Sequence, residues 1–100
     1  MPKEYFVYIA TNKRNTVFYT GVTNDIMRRM HEHRNGSPDG FTIKYRIGKL
    51  VYSETFPTAE DAISAEKKIK AGSRQKKIAL IESRNPSYQD LLEIASLRSQ

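Results

Sequence analysis

One glutamate in this chain stands where apolar residues are expected. In the segment from Thr58 to Lys70, projection at about 100° per residue groups Ala59, Ala62, Ile63 and Ile69 on one stripe, and Glu66 falls between Ala62 and Ile63 in angle. A carboxylate on such a stripe must be neutral, ion-paired or bound to a cation, because an unpaired buried charge is expensive. Lys70, four residues on, offers a helical ion pair. The alternative is a lone carboxylate facing a cleft and ligating a metal, which suits Mg²⁺ because that ion keeps waters and accepts phosphate oxygens. Both readings stand at this point.

An earlier segment repeats the pattern more mildly. Ile26, Met27 and Met30 centre an apolar face, Arg29 and His33 lie side by side along its edge at i and i+4, and Arg28 and Glu32 point elsewhere. A snorkelling arginine and a half-buried histidine would account for the pair without any chemistry. His31 and His33 make no metal pair, since i and i+2 do not share a helix face. Tyr8 and Tyr19 are ordinary strand residues by propensity. Gly21 is less ordinary: glycine at the end of a strand marks a bulge or a close backbone approach, and here it immediately precedes a capped helix whose N-terminal amides could meet a phosphate.

The elements that must position these residues follow from composition and turn chemistry. The runs 5–10 and 17–22 are aromatic and β-branched, and the polar 11–16 between them is turn material, so they form a hairpin. Thr23-Asn24-Asp25 caps a helix of about ten residues ending near Asn35-Gly36, where either residue can take a left-handed cap. A loop follows through Ser37-Pro38-Asp39-Gly40. Residues 49–56 have strand composition and belong beside the hairpin. Thr58-Ala59-Glu60-Asp61 resembles a capping box opening a helix to about Lys70, a further helix spans Ser73 to Arg84, and a last one starts at Ser87-Tyr88-Gln89-Asp90. The order β-β-α-β-α-α-α implies a single α+β domain over residues 1–100, a small three-stranded sheet covered by helices.

Composition narrows the function classes. The chain has 100 residues and no cysteine, which removes disulfide scaffolds and thiolate metal sites and makes the cytoplasm the expected setting. No apolar run approaches a membrane span, and Met1-Pro2-Lys3-Glu4 leads into no signal core, so a soluble protein without membrane partners is expected. The formal charge of +6 points towards a polyanion. Residues 26–50 carry six Lys or Arg against two acids, residues 67–77 carry six bases and no acid, and the two stretches could form one face. Arg28, Lys44, Arg46, Lys67, Lys68, Lys70 and Arg74 are the side chains expected to face phosphates.

Taken in order, Phe6-Val7-Tyr8, Tyr19-Thr20-Gly21, Arg29, His33, Glu66 and Asn85 resemble the GIY-YIG nuclease domain, and the chain is most similar to the small stand-alone bacterial branch of that family. The Phe41-Thr42 to Lys44-Tyr45 loop, Leu50-Val51-Tyr52 and Asn85-Pro86 add to the resemblance. Phe6 replaces the first glycine of the name, Thr20 the isoleucine of the second motif, and Val22 stands where some members carry a lysine. The resemblance implies an endonuclease hydrolysing a phosphodiester bond in DNA, with branched or damaged DNA in repair or recombination as the expected substrate. It further implies that Glu66 holds a single Mg²⁺ or Mn²⁺, and that Tyr8, Tyr19 and His33 position and deprotonate water. Arg29 would stabilise phosphoryl charge, Asn85 would fix local geometry, and Gly21 would border the substrate. A protein partner supplying extra DNA affinity would compensate for the lack of a separate binding domain. The competing expectation is a non-catalytic nucleic-acid-binding or adaptor module that keeps the fold.

Overall fold

The computed structural model describes residues 4–35 and 40–98. The hairpin forms around a turn that satisfies its own polar groups. Asn12 Oδ1 accepts from Thr16 N at 2.8 Å, Asn12 Nδ2 donates to Thr16 Oγ1 at 2.7 Å, and Asn15 takes φ 60°, the left-handed region that asparagine tolerates. Strands β1 (Tyr5–Thr11) and β2 (Phe18–Thr23) pair antiparallel, with Tyr8 opposite Gly21 and Ala10 opposite Tyr19. Strand β3 (Lys49–Phe56) adds antiparallel to the other edge of β1, giving the order β2-β1-β3. The register slips between Ile9 and Ala10: Ile9 faces Tyr52 and Ala10 faces Leu50, leaving Val51 as an extra residue. Val51 and Tyr52, though adjacent, consequently pack in the same core layer.

Among the described residues five helices surround this sheet: α1 (Ile26–Arg34), α2 (Gly40–Lys44), α3 (Ala59–Ala71), α4 (Arg74–Arg84) and α5 (Leu91–Arg98). Strand alternation divides the core in two. On one face Tyr8, Ala10 and Leu50 pack with Met30 of α1, Ile47 and Leu92 of α5. On the other, Ile9, Val51 and Tyr52 pack with Ile81 and Leu80 of α4 and Ile69 of α3. Asp25, Thr58 and Ser73 cap α1, α3 and α4, each side-chain oxygen accepting from the amide three residues on. Asp61 thus occupies the third position after the Thr58 cap, as expected.

The order of elements differs from expectation by one insertion, since Phe41 to Lys44 form a short helix rather than a loop. Five residues give no measurable periodicity; what closes α2 is its C-terminus. Arg46 N donates to Ile43 O at 3.2 Å, Ile47 N to Thr42 O at 2.9 Å, and Arg46 takes φ 55°. This is a Schellman motif with arginine at the left-handed position and buried Ile47 as its apolar anchor. Two stripes are also rotated. Met27 is exposed, and α1 turns Ile26, Arg29, Met30 and His33 towards the sheet. Ile63 is exposed too, and α3 turns Ala59, Ala62, Ala65 and Ile69 inward, with Glu66 on the margin of that stripe. Asn35 ends α1 with φ −111°, outside the left-handed region; Gly36 and the expected loop residues Ser37, Pro38 and Asp39 lie outside the described residues.

Candidate active site

Tyr8 occupies the middle of the central strand and is fully buried. Its ring lies across Gly21, the residue opposite it: a Cβ on Gly21 would stand 2.5 Å from Tyr8 Oη and 2.7 Å from Cζ. The close approach expected at Gly21 is therefore that of a tyrosine ring. Laid over this gap, Tyr8 Oη reaches His33 Nε2 at 2.9 Å and accepts from Arg29 Nε at 3.3 Å. Arg29 also donates from Nη2 to Tyr19 Oη at 3.3 Å. The rings close around this contact, with Tyr19 and His33 edge-to-face at 5.0 Å and Tyr8 and Tyr19 at 6.2 Å between centroids.

Four of the expected residues thus form one hydrogen-bonded chain, His33–Tyr8–Arg29–Tyr19. It has a front and a back. Tyr8 and His33 are buried behind, while Arg29 and Tyr19 are half-buried and form the accessible side. Burial disfavours the Arg29 cation, but hydrogen bonds to Tyr8 and Tyr19, attraction to Tyr8 and a hydrogen bond to Glu32 outweigh it and hold its pKa above the ordinary arginine range. Glu32 was expected to point elsewhere. Its Oε1 instead meets Arg29 Nη1 at 3.3 Å, a contact between i and i+3 on the same helix. The helical spacing of Arg29 and Glu32 was the available signal.

The remaining expected residues lie elsewhere. Asn85 is buried at the end of α4, where Nδ2 donates to Val51 O at 3.1 Å and Gln89 O at 2.9 Å, and Oδ1 accepts from Gln89 N at 3.0 Å. These bonds tie the α4–α5 connection to β3 at the register slip. Glu66, with a side chain 19% exposed, pairs with Lys70 Nζ at 3.4 Å, and the Lys70 side chain is 56% exposed. The described contacts do not join Glu66 or Asn85 to the tyrosine cluster. That cluster lies on one face of the sheet and α3 packs against the other, with β2 as the edge strand between them.

Arg28, Lys44, Arg46, Lys67, Lys68, Lys70 and Arg74 are all exposed. Segments of the two basic stretches meet in one place, the first contributing aromatic and the second basic side chains. Phe41 and Tyr45 from the first and Arg74 and Lys77 from the second line a single cleft with Thr16, Val17 and Phe18.

Among the described residues no group of three or more His, Asp or Glu side chains could cage a metal ion. A lone carboxylate whose ammonium partner sits on an exposed stem does fit Mg²⁺ or Mn²⁺ held through one protein ligand, the other positions being left to water and phosphate oxygens.

A family model described as the GIY-YIG catalytic domain matches residues 4–79, a span that contains the whole sheet, the tyrosine–arginine–histidine cluster and Glu66 but not Asn85. The chain belongs to the GIY-YIG nuclease domain family, and that membership supports a nuclease-type function. Its relatives include small UPF0213 proteins. One from Staphylococcus saprophyticus is 40% identical over 78 residues, covering 78% of this chain and 94% of the relative. One from Staphylococcus haemolyticus is 37% identical over 81 residues, covering 81% of this chain and 98% of the relative. The solution NMR structure of a UPF0213 protein from Bacillus halodurans has a TM-score of 0.56 and 32% identity, over 88% of this chain and 93% of that one. No helix among the described residues is long and apolar enough to cross a membrane.

Proposed function

We propose that this protein is a divalent-metal-dependent endonuclease that hydrolyses a phosphodiester bond in DNA, with branched or damaged DNA as its substrate. The observation that carries the reading is Arg29, a guanidinium held by two tyrosine hydroxyls and Glu32 at the accessible edge of a buried hydrogen-bonded chain. Arg29 neutralises charge developing on the phosphoryl oxygens, and its fixed orientation means little reorganisation accompanies the reaction. Tyr19 orients the attacking water from the same edge. Behind them Tyr8 Oη joins Arg29 to His33 Nε2, so the buried pair holds the guanidinium in place while the proton of the water is lost at the accessible edge beside Tyr19. Glu66 would hold a single Mg²⁺ or Mn²⁺, which when bound supplies charge neutralisation at the phosphate and at the departing oxygen. Asn85 acts at a distance, fixing the α4–α5 connection against β3.

The test is incubation with labelled branched, nicked, duplex and single-stranded DNA in Mg²⁺, Mn²⁺ or EDTA. Cleavage of the branched substrate with either metal and none with EDTA is expected. Binding without cleavage of any substrate would establish the non-catalytic module instead.

A further inference from the structure

The cleft between α2 and the start of α4 carries features that hydrolysis at Arg29 does not use. Phe41 and Tyr45 are large aromatic residues exposed at 42% and 38%. Tyr45 N donates to Phe41 O at 3.1 Å, which places the two residues on one turn, with ring centroids 4.8 Å apart and planes inclined at 50°. Phe41 in turn lies 6.0 Å from Tyr19, so an aromatic series runs from the accessible edge of the active site to the surface. Opposite these rings, the walls are cationic. Arg74 sits with its guanidinium 4.9 Å from the Phe18 ring and is anchored by a bond from Nη2 to Thr16 O at 2.7 Å. Lys77 lines the same cleft, about 320 Å³ in volume, and Lys44 Nζ stands 5.4 Å from the Tyr45 ring.

Exposed aromatic faces beside fixed cations are what an unstacked nucleotide requires. A base stacks on the rings irrespective of its sequence, and its phosphates pair with the bases along the groove. A paired duplex cannot use the rings, because its bases already stack on each other. We infer that the cleft lined by Phe41, Tyr45, Arg74 and Lys77 is a binding subsite for one unpaired nucleotide of the DNA strand, next to the phosphate that Arg29 engages. The inference rests on the proposed nuclease reading for its place beside a scissile phosphate. The subsite gives the enzyme a reason to select branched or single-stranded DNA over duplex. Arg74 holds the phosphate side through the donors that Thr16 O leaves available, and Tyr19 forms the boundary between subsite and active site.

Because the chain contains no tryptophan, Tyr45→Trp provides a single reporter in the cleft. Its fluorescence is titrated with a single-stranded DNA decamer and with a decamer of equal charge whose central nucleotides are abasic. The subsite predicts strong quenching by the first, weak quenching by the second, and affinity roughly tenfold lower for the abasic strand. Phe41→Leu, which keeps the apolar volume but removes the aromatic face, should remove most of that difference in a competition assay. Arg74→Ala should reduce the slope of log K against log salt by about 0.7. Equal quenching and equal affinity for the two decamers would overturn the subsite. Wild-type cleavage is measured with Mg²⁺ on branched DNA built with the same strands, intact or abasic, which separates the two ideas. Stacking without cleavage keeps the subsite and removes the nuclease reading, whereas cleavage without any stacking difference does the reverse.

Discussion

The residue whose identity is most tightly constrained is Gly21, and the constraint comes from Tyr8. With 2.5 Å between Tyr8 Oη and the position of a Cβ, Gly21→Ala forces the ring to move, and the ring is what carries the hydroxyl to His33 and Arg29. The expected outcome is a loss of cleavage of tenfold or more, by the sensitivity of catalysis to misplaced groups, with about 1–3 kcal/mol of overpacking cost. Urea denaturation and single-turnover rates on the same preparation check both. Helical spacing singled out Arg29 and His33, and the family resemblance added Tyr8 and Tyr19, but the reason for Gly21 was not legible, because which residue faces it depends on strand register. Glu32 was missed although its i, i+3 spacing to Arg29 was legible, because the two were read as lying on different faces of the helix. A second titrating residue lies away from the site. Burial, then the hydrogen bond to Glu54, push the Tyr52 hydroxyl up to about 12, and its Oη donates to Glu54 Oε2 at 2.8 Å. A pKa raised in the folded state contributes stability that is complete below the ordinary tyrosine value near 10 and is lost as pH rises through about 12. Tyr52→Phe should therefore be less stable than wild type at pH 8 and lose less on going from pH 9 to 12, as read from urea midpoints across that range.

At the scale of elements, hairpin, third strand and capped helices were readable because their signals are local: alternating β-branched and aromatic residues, Ser, Thr and Asp caps, and the Asn12 turn. Helix α2 and the rotations of α1 and α3 were not, because each is decided by packing. A five-residue helix has too few turns to show a period, and it persists here through the Schellman closure on Ile47. The apolar stripe of α3 read from the helical projection included Ile63, whereas the helix packs through its alanines and Ile69 and leaves Ile63 outside. In α1 the inward stripe accommodates Arg29 and His33 because the tyrosine hydroxyls satisfy their polar atoms. The closure of α2 makes its own prediction. Arg46 holds φ 55°, a conformation that costs a side-chain-bearing residue about 1 kcal/mol and glycine almost nothing. Arg46→Gly should raise stability by about 0.5–1 kcal/mol while weakening DNA binding by the share of one phosphate contact. Thermal melts and a salt titration of DNA affinity measure the two effects separately.

Across the whole molecule, the sheet separates the proposed machinery into two layers. The tyrosine–arginine–histidine chain sits on one face, α3 with Glu66 covers the other, and both border the edge strand β2. The cleft of Phe41, Tyr45, Arg74 and Lys77 lies at the start of that same strand. The net charge of +6 and the two basic stretches announced a polyanion, but only the fold shows where the stretches meet. The Glu66–Lys70 pair keeps alive the structural role that the helical spacing offered. Glu66→Gln separates the roles: as a metal ligand its loss abolishes cleavage and leaves melting unchanged, while as a structural ion pair its loss lowers stability and leaves cleavage in place. The most direct test of the account is the single-turnover cleavage rate of Arg29→Ala at saturating protein, on labelled branched DNA with Mg²⁺. If Arg29 stabilises the transition state, the rate falls roughly 100-fold or more while DNA affinity drops only by one phosphate contact. A rate at saturation equal to that of wild type would contradict the account.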